Sequence, residues 1–329
     1  MRAWRLHQLG GVEYLHLDEI PEPAPGPGEV LLRIRFAALN PADRYLAEGQ
    51  YPARPALPHI LGRDGVGEVV AAGEGAASFS PGDRVAVLRG ETGVTRPGTF
   101  AEQVAVAARE LVPCPEGWTD EQSAGATLVY LTAFQALTQF GDLPAGAVVL
   151  VTGASGGVGV ASVQLAQAMG LNVVAQSRDP EKRRRLQEMG ASLCVDPHDS
   201  QWRRRVKEHL GERRVDLAID NIGGELFSEV IDTLGMSGRV SCVGRLAGAV
   251  PQFNTASLFF RRITIKGVAV GTYANHESHS AWQQVLSLLQ KIDQRPLVDS
   301  IFPFDQLPQA FERLAAGPMG KVLLRCRAD

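Results

Sequence analysis

The residues best suited to chemistry in this sequence gather around one glycine-rich turn. An apolar run over 148–152 leads into Gly153-Ala154-Ser155-Gly156-Gly157-Val158-Gly159, and apolar residues at helical spacing follow over 158–169 before Gly170. Small residues in a strand–turn–helix let the backbone approach a pyrophosphate, and the helix offers that anion its unpaired N–H groups and positive dipole end. The motif reads A-x-G-x-x-G, with Ala154 where the standard form has its first glycine. Such a motif is weak alone; between this strand and this helix it predicts a dinucleotide-binding loop. The plainer alternative is a tight turn that holds no ligand.

The next strand, over 173–176, bears on which dinucleotide. NAD-selective folds end this strand in an acid that bonds the ribose 2′-OH. Here it ends in Gln176-Ser177-Arg178, followed by Asp179-Pro180-Glu181-Lys182. Ser177, Arg178 and Lys182 offer a hydroxyl and two cations, a set suited to a 2′-phosphate. The expected cofactor is therefore NADPH. Asp179 and Glu181 are expected to face solvent at the next helix's start, and Arg183, Arg184 and Arg185 to form a solvated helix face.

Metal chemistry needs three or four ligands placed together. Cys114, Cys194, Cys242 and Cys326 form no close pair, and of seven histidines only His276 and His279 are near neighbours. The expectation is no metal and four separate thiols in a reducing compartment.

These residues need a scaffold. Up to about residue 118 the chain is β-rich, with strand candidates over 29–36, 65–72 and 85–88 set off by Gly and Pro. Such short strands suggest a partly open barrel or small sandwich. Thr119 and Gln122 fit a capping box. Strands over 148–152, 173–176, 215–220 and 239–243 then alternate with helices over 158–169 and 180–189, implying a mostly parallel sheet with helices on both faces. Helices over 278–289 and 307–316 and a strand over 321–325 close the chain.

With 329 residues, two domains are expected. A hydrophobic share of 45%, a charged share of 21% and a net charge of −3 fit a soluble protein rather than a nucleic-acid or polybasic membrane binder. The start, MRAWRLHQLGG, has no apolar signal core, and apolar stretches are broken well before the ~18 residues that a membrane span needs. A cytoplasmic protein is expected.

Several motifs run in order along nearly the whole chain: Asn40-Pro41-Ala42-Asp43, Gly62-Arg63-Asp64-Gly65-Val66-Gly67, Gly82-Asp83-Arg84-Val85, Leu131-Thr132-Ala133, the glycine loop, Asp220-Asn221-Ile222-Gly223-Gly224 and Gly320-Lys321-Val322. Together they resemble the medium-chain dehydrogenase/reductase superfamily, in its zinc-free, zeta-crystallin-like quinone oxidoreductase branch. The resemblance implies an α/β chain: a GroES-like β-rich catalytic domain over 1–120 and 270–329, and a Rossmann-type NADPH-binding domain with a doubly wound parallel sheet over 121–269. Zinc relatives carry a catalytic Cys in the segment matching Asn40 to Asp43 and a Gly-His-Glu where Gly62-Arg63-Asp64 stands. The Cys is missing here, Arg63 replaces the His, and the close set of four structural cysteines is also missing.

Without a Lewis acid an alcohol is poorly activated for oxidation, whereas a quinone or enone can accept hydride directly. By the resemblance, Asn40, Asp43, Tyr45 and Tyr51 line the pocket beside the nicotinamide, and a Tyr hydroxyl can bond a developing oxyanion. The plain reading of each Tyr is packing, and of Asp43 a helix cap. Thr132 should lie near the cofactor, and Asn221, Val243 and Gly244 follow strand ends where open α/β folds bind ligands. Two positions depart from relatives. The 191–197 segment lacks a Tyr that often closes over the adenosine phosphate, and an Arg near the substrate in some relatives corresponds to Val268.

The leading expectation is NADPH-dependent reduction of a quinone or activated enone. An enoyl-thioester reductase, a zinc alcohol dehydrogenase and a non-catalytic NADPH-binding protein are the alternatives, in falling order of fit to these residues except the last, which binding motifs alone do not address. Relatives pair through an edge strand of the nucleotide domain, here 263–270, so a homodimer is expected.

Overall fold

A computed structural model describes residues 1–76 and 78–326. They divide into two units, one of Met1–Leu128, Tyr273–Ser280 and the described residues of 295–329, the other of Val129–Thr272 and Ala281–Gln294.

In the first unit, Glu29–Ala38 is the central strand of a seven-stranded sheet. It pairs antiparallel with Gly65–Ala72, Gln103–Ala107 and Lys321–Arg325. Alternation of Leu32, Ile34 and Phe36 with Arg33 and Arg35 is the signature that made it a strand. Leu32 and Ile34 join one core with Phe100 and Phe311, while Phe36 packs in a second cluster with Val66 and Leu323. A smaller antiparallel sheet orders Leu15–Glu19, Arg2–Leu6 and His59–Ile60. The Thr119–Gln122 capping box is present, although its helix, Asp120–Ala124, is short.

Pairing of Leu323 with Ala38 brings the start of the closing strand beside the end of the central one. The chain turns there into the helix Pro41–Ala47, started by Pro41 with its preset φ. Residues far apart in sequence thereby meet at one sheet end.

The second unit holds a six-stranded, wholly parallel sheet. Its order is Leu193–Val195, Asn172–Gln176, Val148–Val151, Val215–Asp220, Leu234–Cys242, Thr264–Gly267. Numbered along the chain this is 3-2-1-4-5-6, the Rossmann order, with its switch point between Val148–Val151 and Val215–Asp220. The first of these strands is buried throughout, as an all-parallel sheet covered on both faces requires. Helices Gly157–Ala168 and Pro180–Glu188 follow the first two strands.

One expected element is shorter than its sequence suggests. The edge strand over 263–270 is confined to Thr264–Gly267. Arg262 takes a left-handed φ of 53° to end the preceding helix. At the other end the neighbouring strand stops at Cys242, whose carbonyl takes the Val268 N–H, and Val270–Thr272 coils into a 3₁₀ turn.

Candidate active site

In the second unit, the glycine loop sits at the switch point. Gly153 takes a left-handed φ of 55°, and the Ala154 N–H donates to the Gln176 carbonyl at 2.9 Å. A Cβ on Gly159 would lie 2.4 Å from the Gly153 oxygen and 2.6 Å from Ala154 backbone atoms, so the last glycine of the motif is enforced by backbone approach. Gly156 starts the helix with no side-chain cap, which leaves the N-terminal amides for an anion.

Across the switch point, Asp220 ties the facing loop together. Its Oδ1 accepts Thr152 Oγ1 at 2.8 Å and the Ile222 N–H at 3.1 Å, and its Oδ2 accepts the Gly223 N–H at 3.1 Å. Asn221 donates its N–H to Thr152 Oγ1 and its Nδ2 to the Thr152 carbonyl. Among the described residues the Asn221 Oδ1 has no hydrogen-bond partner, although it is buried. Val243 and Gly244 donate their N–H groups to the Asp220 carbonyl, at 2.8 and 3.1 Å. Thr132 is half-buried on the helix Thr127–Thr138. A small-residue cradle, an uncapped helix start and an unpaired buried acceptor fit a dinucleotide.

At the end of the second strand, Ser177 is buried and Arg178 exposed. Asp179 caps the next helix, accepting the N–H groups of Glu181 and Lys182. The Lys182 N–H above all holds the Asp179 carboxyl below the usual aspartate range. Arg183 does not join the solvated face expected of it. Its Nη1 donates to the carbonyls of Ser177 at 2.7 Å and Arg178 at 2.8 Å and pairs with Asp196 at 3.2 Å. Arg184, by contrast, is exposed and paired with its helix neighbours Glu181 and Glu188.

The first unit holds two linked charge clusters. Asp43 is fully buried at the third position of its helix, and its Oδ2 accepts the Asn40 N–H at 2.9 Å. It is a cap, as the plain reading had it, but its other oxygen accepts Arg63 Nε at 3.2 Å. Arg63 also donates Nη1 to the Tyr51 hydroxyl at 3.1 Å and Nη2 to the Ala42 carbonyl at 3.4 Å. Its guanidinium carbon lies 4.7 Å over the Tyr51 ring. Burial works against the Arg63 charge, but Asp43 and then Tyr51 outweigh it and hold the guanidinium protonated more firmly than free arginine. Gly62 makes the turn into this residue at φ 95°, against Thr99 and Phe100.

The second cluster centres on Lys321. Its ammonium donates to Asn40 Oδ1 at 2.7 Å, the Leu39 carbonyl at 3.0 Å and Asp64 Oδ2 at 3.2 Å. The Thr127 hydroxyl shares its one proton between the Val87 carbonyl at 2.6 Å and Asp64 Oδ1 at 3.0 Å. Burial pushes the carboxyls of Asp43 and Asp64 upward, against the pull of Arg63 and Lys321 respectively.

Of the residues expected from sequence, Asn40, Asp43 and Tyr51 thus meet around two cations, Arg63 and Lys321. Asn40 is committed on both sides of its amide, since Nδ2 donates to the Ala38 carbonyl. Tyr45 is half-buried on the same helix as Asp43. Asp64, Thr127, Lys321, Arg183, Thr152 and Asp220 escaped the sequence reading as site residues. For Lys321 a signal existed: a lysine heading the apolar strand KVLLR must find a partner if buried. Among the described residues, no group of three or more His, Cys, Asp or Glu is placed to hold a metal ion.

Comparison with known proteins bears on what this arrangement serves. Residues 26–116 match the alcohol dehydrogenase GroES-like domain, and residues 157–291 match the family described as zinc-binding dehydrogenase. The rat quinone oxidoreductase is 31% identical over 98% of this chain and 97% of its own. A solved NAD-dependent alcohol dehydrogenase is 28% identical, with a TM-score of 0.88 over 99% of both chains. A mycobacterial protein solved in complex with NADPH is 26% identical, with a TM-score of 0.89 over 99% of both. The chain is an oxidoreductase that belongs to the medium-chain dehydrogenase/reductase superfamily, in its quinone oxidoreductase branch.

Proposed function

We propose that the protein reduces a quinone or related conjugated enone with NADPH, without a metal. The observation that carries this reading is the buried Asp43–Arg63 pair, in which a cation stands where zinc relatives place a histidine ligand. A fixed guanidinium repels a divalent ion, and an acceptor with a carbonyl needs no Lewis acid to take hydride. When bound, the nicotinamide supplies that hydride. The residues of this chain hold, orient and protonate. The glycine loop and helix start take the pyrophosphate, and Asn221, Val243 and Gly244 border the nucleotide at the strand ends. Thr132 is assigned to the nicotinamide, and Tyr51, Tyr45, Asn40 and Asp43 to the acceptor.

NADPH is favoured over NADH by Ser177, Arg178 and Lys182 and by the engagement of Asp179 in its own helix. Relatives include one described as NAD-dependent and one bound to NADPH, and these residues support the second for this chain. Arg178→Ala should weaken NADPH binding by at least about tenfold while leaving NADH binding unchanged, as loss of one charge-assisted phosphate contact predicts. Equal effects on both dinucleotides would remove the 2′-phosphate assignment. The acceptor itself is tested by NADPH oxidation with 1,4-benzoquinone, a 2-alkenal and an enoyl-CoA; turnover of the thioester alone would make this an enoyl-thioester reductase.

The same reading has the protein working as a homodimer in the cytoplasm. Thr264–Gly267 is a sheet edge, and Phe259, Phe260, Met236 and Val250 are exposed in the same unit. An open edge beside apolar groups favours pairing with a second copy. Sedimentation should give a dimer mass, and a concentration-independent monomer would count against it. Four free thiols suit a reducing compartment, and among the described residues no helix is long and apolar enough to cross a membrane.

A further inference from the structure

We infer that Arg63 is a positioning residue that turns the Tyr51 hydroxyl into an obligate hydrogen-bond and proton donor toward the carbonyl oxygen of the acceptor. The inference rests on the reading of the site as one that reduces a carbonyl-bearing acceptor.

The argument is one of donor and acceptor inventory. Arginine donates through every N–H and accepts through none. Each of the three guanidinium nitrogens has a bond: Nε to Asp43, Nη1 to the Tyr51 oxygen, Nη2 to the Ala42 carbonyl. The Tyr51 oxygen must therefore accept from Arg63, which leaves its own O–H to point at another group. Of the three side chains, Arg63 is 8% exposed and Asp43 is fully buried, while Tyr51 is only half-buried. Tyr51 is the most exposed of the three, so the phenol is the route by which the pair acts on a ligand. The guanidinium also stacks on the Tyr51 ring, which fixes the ring plane together with the hydroxyl.

A hydroxyl that already accepts from a cation is a stronger donor, because the two bonds polarise one another. It suits an oxygen that gains negative charge during reaction. The acceptor gains a hydride from the nicotinamide cofactor, which is left oxidised, and one proton, which this chain supplies. Tyr51 passes its proton to the acceptor oxygen, and the O–H bond to tyrosine breaks as the new one forms. A quinone leaves as a hydroquinone and an enone as an enol that becomes the saturated ketone. Water restores the tyrosine proton. Asp43 keeps the guanidinium charged and in place and takes no part in the transfer.

The test uses 4-nitrophenolate, an oxyanion that cannot be reduced by hydride at its oxygen and whose visible absorption reports its hydrogen bonding. Its affinity and band shift are measured on the dinucleotide-loaded protein, next to kcat and KM for 1,4-benzoquinone. Wild type should bind the phenolate with a blue-shifted band. Tyr51→Phe and Arg63→Met should each lower both the affinity and kcat by at least about tenfold, the scale of one lost oxyanion donor. The two substitutions together should do no more than Tyr51→Phe, since both act through one hydroxyl. Arg63→Lys should restore part of the loss. Because Arg63→Met leaves Asp43 unpaired, Arg63→Gln with Asp43→Asn removes both charges and carries the same expectation should the single variant not fold. Full phenolate affinity in the Arg63 variants, strictly multiplicative effects at 51 and 63, or no phenolate binding by wild type would overturn the assignment. A wild type that binds the phenolate with this coupling but reduces no quinone or enone would instead remove the proposed activity.

Discussion

Lys321→Met probes the buried charge network that fixes the end of the central strand in the first unit. The Lys321 side chain is 5% exposed and Asp64 fully buried. Removing the ammonium strands the buried Asp64 carboxylate with only the neutral side chains of Thr127 and Asn40 as hydrogen-bond partners among the described residues, and leaves Asn40 Oδ1 and the Leu39 carbonyl short of a donor. Breaking a buried pair from one side costs about 3–5 kcal/mol, far more than the pair contributes over an apolar replacement. At about 2–4 °C per kcal/mol for a domain of this size, the calorimetric transition of the first unit should fall by about 6–20 °C. Lys321→Met with Asp64→Leu should recover most of the loss, because no charge is then left alone.

The pH dependence follows from the direction of the Asp64 shift. Burial raises its folded pKa and Lys321 lowers it, so losing Lys321 raises it further. A folded pKa above the unfolded one means that the folded state takes up a proton more readily. The penalty is therefore full above the folded pKa and relieved as pH falls toward the unfolded value. The deficit of the single variant should shrink as the pH falls toward the ordinary aspartate range, about 4. A loss below about 1 kcal/mol, or a deficit that grows on acidification, would refute the assignment of Asp64 and Lys321 as an obligate pair.

Three further outcomes are expected. Gly159→Ala puts a methyl against the backbone of Gly153 and Ala154, so dinucleotide titrations should show affinity lost by more than about tenfold with little change in the first unit's unfolding. Arg183→Ala frees the carbonyls of Ser177 and Arg178, and should weaken NADPH more than NADH although Arg183 itself is held by backbone and Asp196. Cys114, Cys194 and Cys242 have thiols that burial pushes up to about 11, so iodoacetamide should label the native protein far more slowly at neutral pH than a free thiol, and faster as pH rises toward that value.

The glycine loop was legible because everything that specifies it is local. A strand, a turn with small residues and a helix follow one another, and the one non-local demand, the approach of Gly159 to Gly153, is already written as a glycine. Asp179 was expected only to face solvent at the helix start; its capping of the Glu181 and Lys182 N–H groups came with the structure. The charge clusters were not readable in the same way. Asn40, Asp64, Thr127 and Lys321 come from four separate stretches that meet because Lys321–Arg325 and Gly65–Ala72 both pair antiparallel with Glu29–Ala38, while Thr127 bonds the Val87 carbonyl. Arg63 entered the sequence argument as a missing ligand; its partners Asp43 and Tyr51 lie twenty and twelve positions away and meet it only because the chain folds back. Arg183 looked like the rest of a charged run, and nothing local distinguishes it from Arg184. The edge strand was overextended because β-propensity continues past Gly267 while the neighbour that would pair with it has ended.

The most direct test of the central claim is NADPH oxidation by the purified protein with 1,4-benzoquinone, beside oxidation of a simple alcohol with NADP⁺, each before and after exhaustive chelation. The account predicts quinone-dependent turnover that chelation leaves unchanged and no alcohol oxidation under either condition. Alcohol oxidation that chelation abolishes and zinc restores, without quinone reduction, would contradict it.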